Sequence, residues 1–132
     1  MKLRPSRSPF RLSLGERGEM TAWGFLLKEN FEILEKNYRC SIGEIDVVAR
    51  KNGRIIFVEI KTRKGDRFGA PEESVHRAKQ KILIRLAQWY RKEKKMENFP
   101  AAFAVVAVDW KTGEKPRVRL IEDAFNADGA EG

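Results

Sequence analysis

From Ser13 onward, apolar residues return at helical spacing: Met20, Trp23, Leu26 and Leu27 share one stripe of a helix expected to run to about Glu29. Ser13 and Glu16 supply the S-x-x-E pattern that closes a helix's first turn reciprocally. Residues 31–39 follow with an ambiguous period, apolar at Phe31, Ile33 and Leu34, and read as a strand. Two clearer strands, 43–50 and 54–61, flank Asn52-Gly53, the dipeptide best suited to a two-residue hairpin turn. Residues 62–70 form a polar, glycine-containing loop. A long helix is expected from Pro71 to about Lys95, with Val75, Ala78, Ile82, Leu86 and Trp89 on its apolar face. Residues 101–110 are almost wholly apolar, as in a strand covered on both faces. A turn over 111–115 leads to an outer strand over 116–121. This order describes one α/β domain, residues 13–123, with a central mixed sheet of about five strands flanked by helices. Residues 1–12 read as a basic flexible arm and 124–132 as an acidic flexible tail.

The hairpin can be taken to a register. With a two-residue turn at Asn52-Gly53, Lys51 faces Arg54, Asp46 lies opposite Glu59, and Glu44 lies opposite Lys61. Alternation puts those four side chains on one face and leaves Ile45, Val47, Ala49, Ile56, Val58 and Ile60 on the other as core. Like charges directly opposite destabilise a sheet. A shared proton, Lys61 or a divalent cation would offset the Asp46–Glu59 repulsion. Oxygen ligands at this spacing suit Mg²⁺ or Mn²⁺, and a lysine beside them is the minimal kit for metal-assisted phosphodiester hydrolysis. The bland alternative is a solvated face with a Glu44–Lys61 ion pair. Neutralising Asp46 or Glu59 is expected to remove metal binding while preserving or raising stability. On a helical wheel Glu19 falls inside the apolar stripe, between Trp23 and Leu26. It either joins the sheet acids or benefits from the helix macrodipole.

Composition narrows the chemistry. The 132 residues, 42% hydrophobic, support one core. Lys and Arg number 27 against 19 Asp and Glu, a net charge of +8 that favours nucleic acid first and anionic lipid second as partner. No run approaches the ~18 apolar residues of a membrane span, and residues 1–12 lack the apolar segment of a signal peptide. One cysteine, Cys40, and one histidine, His76, exclude an internal disulfide, a thiolate zinc site and a multi-histidine site. A reduced Cys40 fits the cytoplasm. Carboxylates, lysines and arginines must carry the chemistry.

The runs GEIDVVA (43–49) and FVEIKTR (57–63), with Gly18-Glu19, Asn37-Tyr38-Arg39 and Phe68-Gly69, resemble the bacterial YraN family of endonuclease-like proteins over roughly residues 15–108. That family is similar to the restriction-endonuclease-like fold, the PD-(D/E)xK nucleases and archaeal Holliday junction resolvases. The resemblance implies a metal site built from Glu19, Asp46 and Glu59, with Lys61 as the catalytic lysine. Ile45 stands where the PD motif has proline. Relatives often read R-F-D where this chain has Ala102-Phe103-Ala104.

The expected function is a Mg²⁺-dependent endonuclease-like protein acting on DNA rather than RNA, and on branched or structured DNA in particular. The alternatives are a non-catalytic nucleic-acid-binding module of the same fold and an interaction protein with an acidic partner. Phosphate contacts are assigned to Arg63, Lys64, Arg67, Arg77, Lys79, Lys81 and Arg85. A charge run of this kind is otherwise a solvated face. Lys79 lies at the edge of the apolar stripe, and the wheel does not decide whether it meets the acids. Trp23, Trp89 and Tyr90 have the ring faces to stack on bases, but their spacing favours core. A homodimer is left open beside a monomer.

Overall fold

The computed structural model describes residues 12–65, 76–111 and 115–125. Arg67, Phe68-Gly69, Pro71 and nearly all of the arm and tail fall outside them; the long helix, expected from Pro71, starts at Arg77 because His76 before it is extended. The elements are α1 (Leu14–Lys28), β1 (Glu32–Arg39), β2 (Glu44–Lys51), β3 (Arg54–Lys64), α2 (Arg77–Glu93), β4 (Ala101–Trp110) and β5 (Arg117–Ile121). The strands form one mixed five-stranded sheet in the order β1-β2-β3-β4-β5. Only β3 and β4 are parallel, since they are joined through α2, whereas the short connections elsewhere give antiparallel neighbours. Among the described residues no helix is long and apolar enough to cross a membrane.

Local chemistry accounts for the element ends. Ser13 caps α1, its hydroxyl accepting from the Glu16 N–H while Glu16 accepts from the Ser13 N–H. Asn52 and Gly53 both take positive φ, 55° and 76°, as the tight hairpin turn requires. The register expected for that hairpin holds from Lys51↔Arg54 to Val47↔Val58.

Both sheet faces are covered. Toward α1, Val47, Ala49, Ile56, Val58, Ala104, Val106 and Val108 pack with Ala22 and Leu26. Toward α2, Val48, Phe57, Phe103 and Val105 pack with Leu83, Leu86, Ala87 and Tyr90. The face carrying the acids is therefore no open surface along most of its length, contrary to the solvated reading. Both helices are also rotated from their expected orientation. The buried face of α1 is Gly18, Ala22 and Leu26, while Met20 and Leu27 are exposed. In α2 the core face is Leu83, Leu86, Ala87 and Tyr90, leaving Ile82 and Trp89 outside. In each helix two apolar stripes compete, and the docking surface chooses between them. For α1 the choice is steric: a Cβ at Gly18 would overlap the Thr62 side chain of β3. Gly18→Ala is therefore expected to lower stability by about 1–3 kcal/mol, measured as a fall in the urea midpoint, because the helix must lift from β3.

Besides the register shift between Ile33 and Glu35 of β1, alternation breaks at a place shared by two neighbouring strands. Ile45 packs on the α2 side with Tyr38 and Leu86, although Val47 and Ala49 face α1. This corrects the expected all-one-face core row. In β1, Tyr38 likewise faces α2 while Lys36 lies over the Trp23 ring of α1. The residues between, Asn37 and Asp46, are bracketed by the pairs Lys36↔Val47 and Tyr38↔Ile45. Asn37 has φ 54°, a conformation asparagine tolerates better than most residues. Both strands turn over together there.

Candidate active site

That turn-over sets the position of the Asp46 carboxylate. The β2–β3 register stops at Val47↔Val58 instead of continuing to Asp46↔Glu59, and Asp46 Oδ2 accepts the Ile60 N–H at 2.8 Å. The side chain has thus taken up a β3 main-chain donor at the point where the strands part. Glu44, expected opposite Lys61, instead pairs with Arg39 of β1 at 3.3 Å. Once the register breaks at Asp46, the cross-strand arithmetic no longer reaches that far.

Glu59 is 7% exposed, one of two buried charged residues among those described. Its Oε2 receives Lys79 Nζ at 3.1 Å and Lys61 Nζ at 3.5 Å. Lys61 follows Glu59 by two positions and so shares its face of β3. Lys79 comes from the first turn of α2, which settles the question the helical wheel left open. Burying a carboxylate is tolerable because two ammonium groups neutralise it.

Among the described residues Asp46 has no such cation. Burial, then the charge of Glu59, pushes its carboxyl up from an ordinary 3.8 to about 6; the Ile60 N–H opposes the rise, and Glu44 and Glu19 add to it. Glu19, half-buried on α1, thus belongs to the same electrostatic neighbourhood as Asp46. Among the described residues, however, no three His, Cys, Asp or Glu side chains form a group that could hold a metal ion. The donor chemistry still fits a hard cation. Asp46 and Glu59 offer only oxygen, the excess negative charge at Asp46 is uncompensated, and Mg²⁺ commonly takes one or two carboxylates and completes its shell with water and substrate phosphate.

The other assigned residues separate into groups. Arg63 Nε lies 3.3 Å from Asp109 Oδ1, and Arg119 approaches the other oxygen of that carboxylate at 3.8 Å. Lys64 is exposed at the end of β3, and Arg77, Lys81 and Arg85 are exposed along α2. His76 is the N-cap of α2 and makes no side-chain capping bond. Asp109 and Arg119 were absent from the sequence-based site. The available signal was a lone acid closing the apolar run AAFAVVAVDW, a position that calls for a cationic partner. Its pairing with Arg63 depends on the parallel β3–β4 register across α2, which no local pattern encodes.

A family model described as "Uncharacterised protein family UPF0102" matches residues 18–108, nearly the span of the YraN resemblance. A UPF0102 protein of Syntrophotalea carbinolica is 43% identical over 119 residues, covering 90% of this chain and 96% of its own length. A UPF0102 protein of Syntrophus aciditrophicus is 41% identical over 114 residues, covering 86% and 89% respectively. Among solved structures, Pyrococcus furiosus SfsA in complex with Ca²⁺ matches with a TM-score of 0.41 and 13% identity, over 80% of this chain and 63% of that one.

Proposed function

This chain belongs to the uncharacterised protein family UPF0102, and from that premise we propose that it is a metal-dependent endonuclease-like hydrolase of DNA phosphodiester bonds, with structured or branched DNA as substrate. The observation that carries the reading is the pairing of an uncompensated, partly buried Asp46 with a buried Glu59 that holds two lysines. A fold stabilised only for its own sake gains nothing from a second, partly buried carboxylate placed beside the first without a cation of its own. Asp46 and Glu59, with Glu19 beside them, would hold Mg²⁺ or Mn²⁺, which when bound supplies an activated water and charge neutralisation on a phosphate. Lys61 contributes an ammonium next to where the phosphate would sit, orienting the attacking water and countering developing charge. The deciding experiment is Mg²⁺-dependent cleavage of branched against linear duplex by the parent and by Asp46→Asn. Cleavage by neither protein, across both substrates and both metals, overturns the reading.

One observation favours a second reading, a nucleic-acid-binding module without turnover: Glu59 is already neutralised by Lys79 and Lys61 and can stand without a metal. Binding with no Mg²⁺-dependent step would establish it. Either reading makes the α2 surface a phosphate contact. Lys81 and Arg85 are exposed and make no ion pair among the described residues. Replacing both with alanine is expected to reduce the magnitude of the log-affinity against log-salt slope by about two, one per lost phosphate contact. Fluorescence anisotropy at several salt concentrations measures it, and an unchanged slope places the DNA elsewhere.

A further inference from the structure

The outer face of α2 carries an aromatic group that the fold does not use. Of the three tryptophans, Trp23 and Trp110 are partly buried, with Lys36 over the first ring at 4.1 Å and Arg17 over the second at 4.5 Å. Trp89 is 51% exposed and makes no ring or cation contact among the described residues. The packed side of its helix is already filled by Leu83, Leu86, Ala87 and Tyr90. Two turns before Trp89, on the same stripe, Ile82 is exposed as well. Around them stand Lys81, Arg85 and Lys92, all exposed and all without a hydrogen bond or ion pair among the described residues. From Arg77 to Lys92 the helix contains no acid; the first, Glu93, accepts the Tyr38 hydroxyl at 2.6 Å.

An exposed indole with a row of cations along one side of it, unpaired among the described residues, complements a polyanion whose units have flat apolar faces. Single strands satisfy this description, since their bases are free to stack while their phosphates meet the cations. In a continuous duplex the base faces are occupied by their neighbours. We propose that the outer face of α2 is a platform for unpaired nucleotides, with Trp89 stacking on a base and Lys81, Arg85 and Lys92 following the backbone. The proposal rests on the nucleic-acid reading of the Asp46–Glu59 site and deepens it: the substrate is DNA with an unpaired segment next to the cleaved strand. The same helix links the two places. Lys79, on Glu59, precedes Trp89 by ten residues, about 15 Å along the axis. An unpaired strand leaving the acids along α2 meets the indole within a few nucleotides.

The test uses the full chain in EDTA, so that binding is read without cleavage, with an oligothymidylate of about 12 nucleotides, within usual single-strand site sizes, and a blunt duplex of equal length. Trp89→Ala is expected to weaken single-strand binding about 5- to 150-fold and to weaken duplex binding far less. Trp89→Phe, which keeps a ring, should retain most of the affinity while losing the quenching of tryptophan fluorescence that the oligonucleotide causes in the parent. Unchanged melting of both variants separates this from misfolding. Equal losses on the two ligands, or no loss on either, overturn the proposal. So does a dimer in sedimentation that Trp89→Ala dissociates, because the face then belongs to a second copy. Trp89-dependent binding in a protein that never cleaves leaves the platform standing and removes only the hydrolase reading.

Discussion

Asp46→Asn is expected to be more stable than the parent at neutral pH and inactive in Mg²⁺-dependent cleavage. The amide carries no charge, yet its oxygen can still accept the Ile60 N–H that anchors Asp46 at 2.8 Å. In the parent, burial and the Glu59 charge raise the Asp46 carboxyl from 3.8 to about 6. A folded-state value above the unfolded one means that the folded chain favours the neutral acid. The stability this contributes is complete below about pH 4 and is lost as pH rises through about 6. At pH 7 the full shift corresponds to about 3 kcal/mol, and solvent reaching this half-buried group reduces the gain expected of the variant to about 1–2 kcal/mol. Urea unfolding from pH 4 to pH 8 should therefore show two curves that coincide at the acid end, part from about pH 4 and run parallel above about pH 6 to 7, the parent below the variant. Mg²⁺ should stabilise the parent by mass action and leave the variant unmoved. Cleavage should fall at least 100- to 1000-fold, as on loss of one preorganised electrostatic group. A variant less stable at pH 7 would show that the Asp46 carboxylate is a structural hub instead.

Glu59→Gln is expected to act in the opposite sense, which revises the expectation that neutralising either acid preserves stability. The Glu59 carboxylate already holds Lys79 and Lys61. Removing the charge leaves two ammonium groups with a weaker partner at a buried position, a change that costs stability instead of relieving repulsion. The two acids face each other in the register expected from the turn, yet their surroundings make one a source of strain and the other a neutralised anchor.

What the sequence discloses depends on how local the determining interaction is. The capping box at Ser13 and the turn at Asn52-Gly53 act within four residues, so the start of α1 and the β2–β3 register from Lys51↔Arg54 to Val47↔Val58 were both legible. The order of elements followed from periods of two and 3.6. The register failed where a side chain replaced the main-chain ladder, at Asp46 and Ile60. The nearest clue was Asn37 across the sheet, since asparagine is suited to the positive φ it adopts. Helix rotation failed for another reason. Met20, Trp23, Ala22 and Leu26 supply more apolar surface than one contact can bury, and the decision lies with Gly18 against Thr62, two residues 44 positions apart. The same competition in α2 turned Trp89 outward and brought Lys79 in toward Glu59. Asp109 with Arg63 is the extreme case, fixed only by a parallel pairing across a helix.

Lys61→Ala is the change that separates chemistry from binding. Lys61 stands on β3, and its Nζ lies 3.5 Å from Glu59 Oε2, a looser engagement than the 3.1 Å of Lys79. An ammonium has three donors, so Lys61 can touch Glu59 and still present N–H groups to a water or a phosphate oxygen. Lys79, the closer partner, is expected to act as a positioning cation that holds the Glu59 carboxylate in place. In the proposed hydrolysis Lys61 would act on charge that develops in the transition state, so losing it should lower single-turnover cleavage about 100- to 1000-fold and leave DNA affinity nearly intact. Lys61→Arg should restore little, because a planar fork does not reproduce a compact ammonium. Lys79→Ala should give a milder loss of rate with a measurable loss of stability, since it leaves a buried carboxylate with one partner instead of two. The double variant distinguishes independent roles from a shared one. Rate losses that multiply mean that the lysines act separately, and a double variant no slower than Lys61→Ala means that Lys79 works only through the group Lys61 serves. If Lys61→Ala cuts at the parental rate while Lys79→Ala does not, the ammonium at the phosphate is supplied by α2 and the assignment of Lys61 fails.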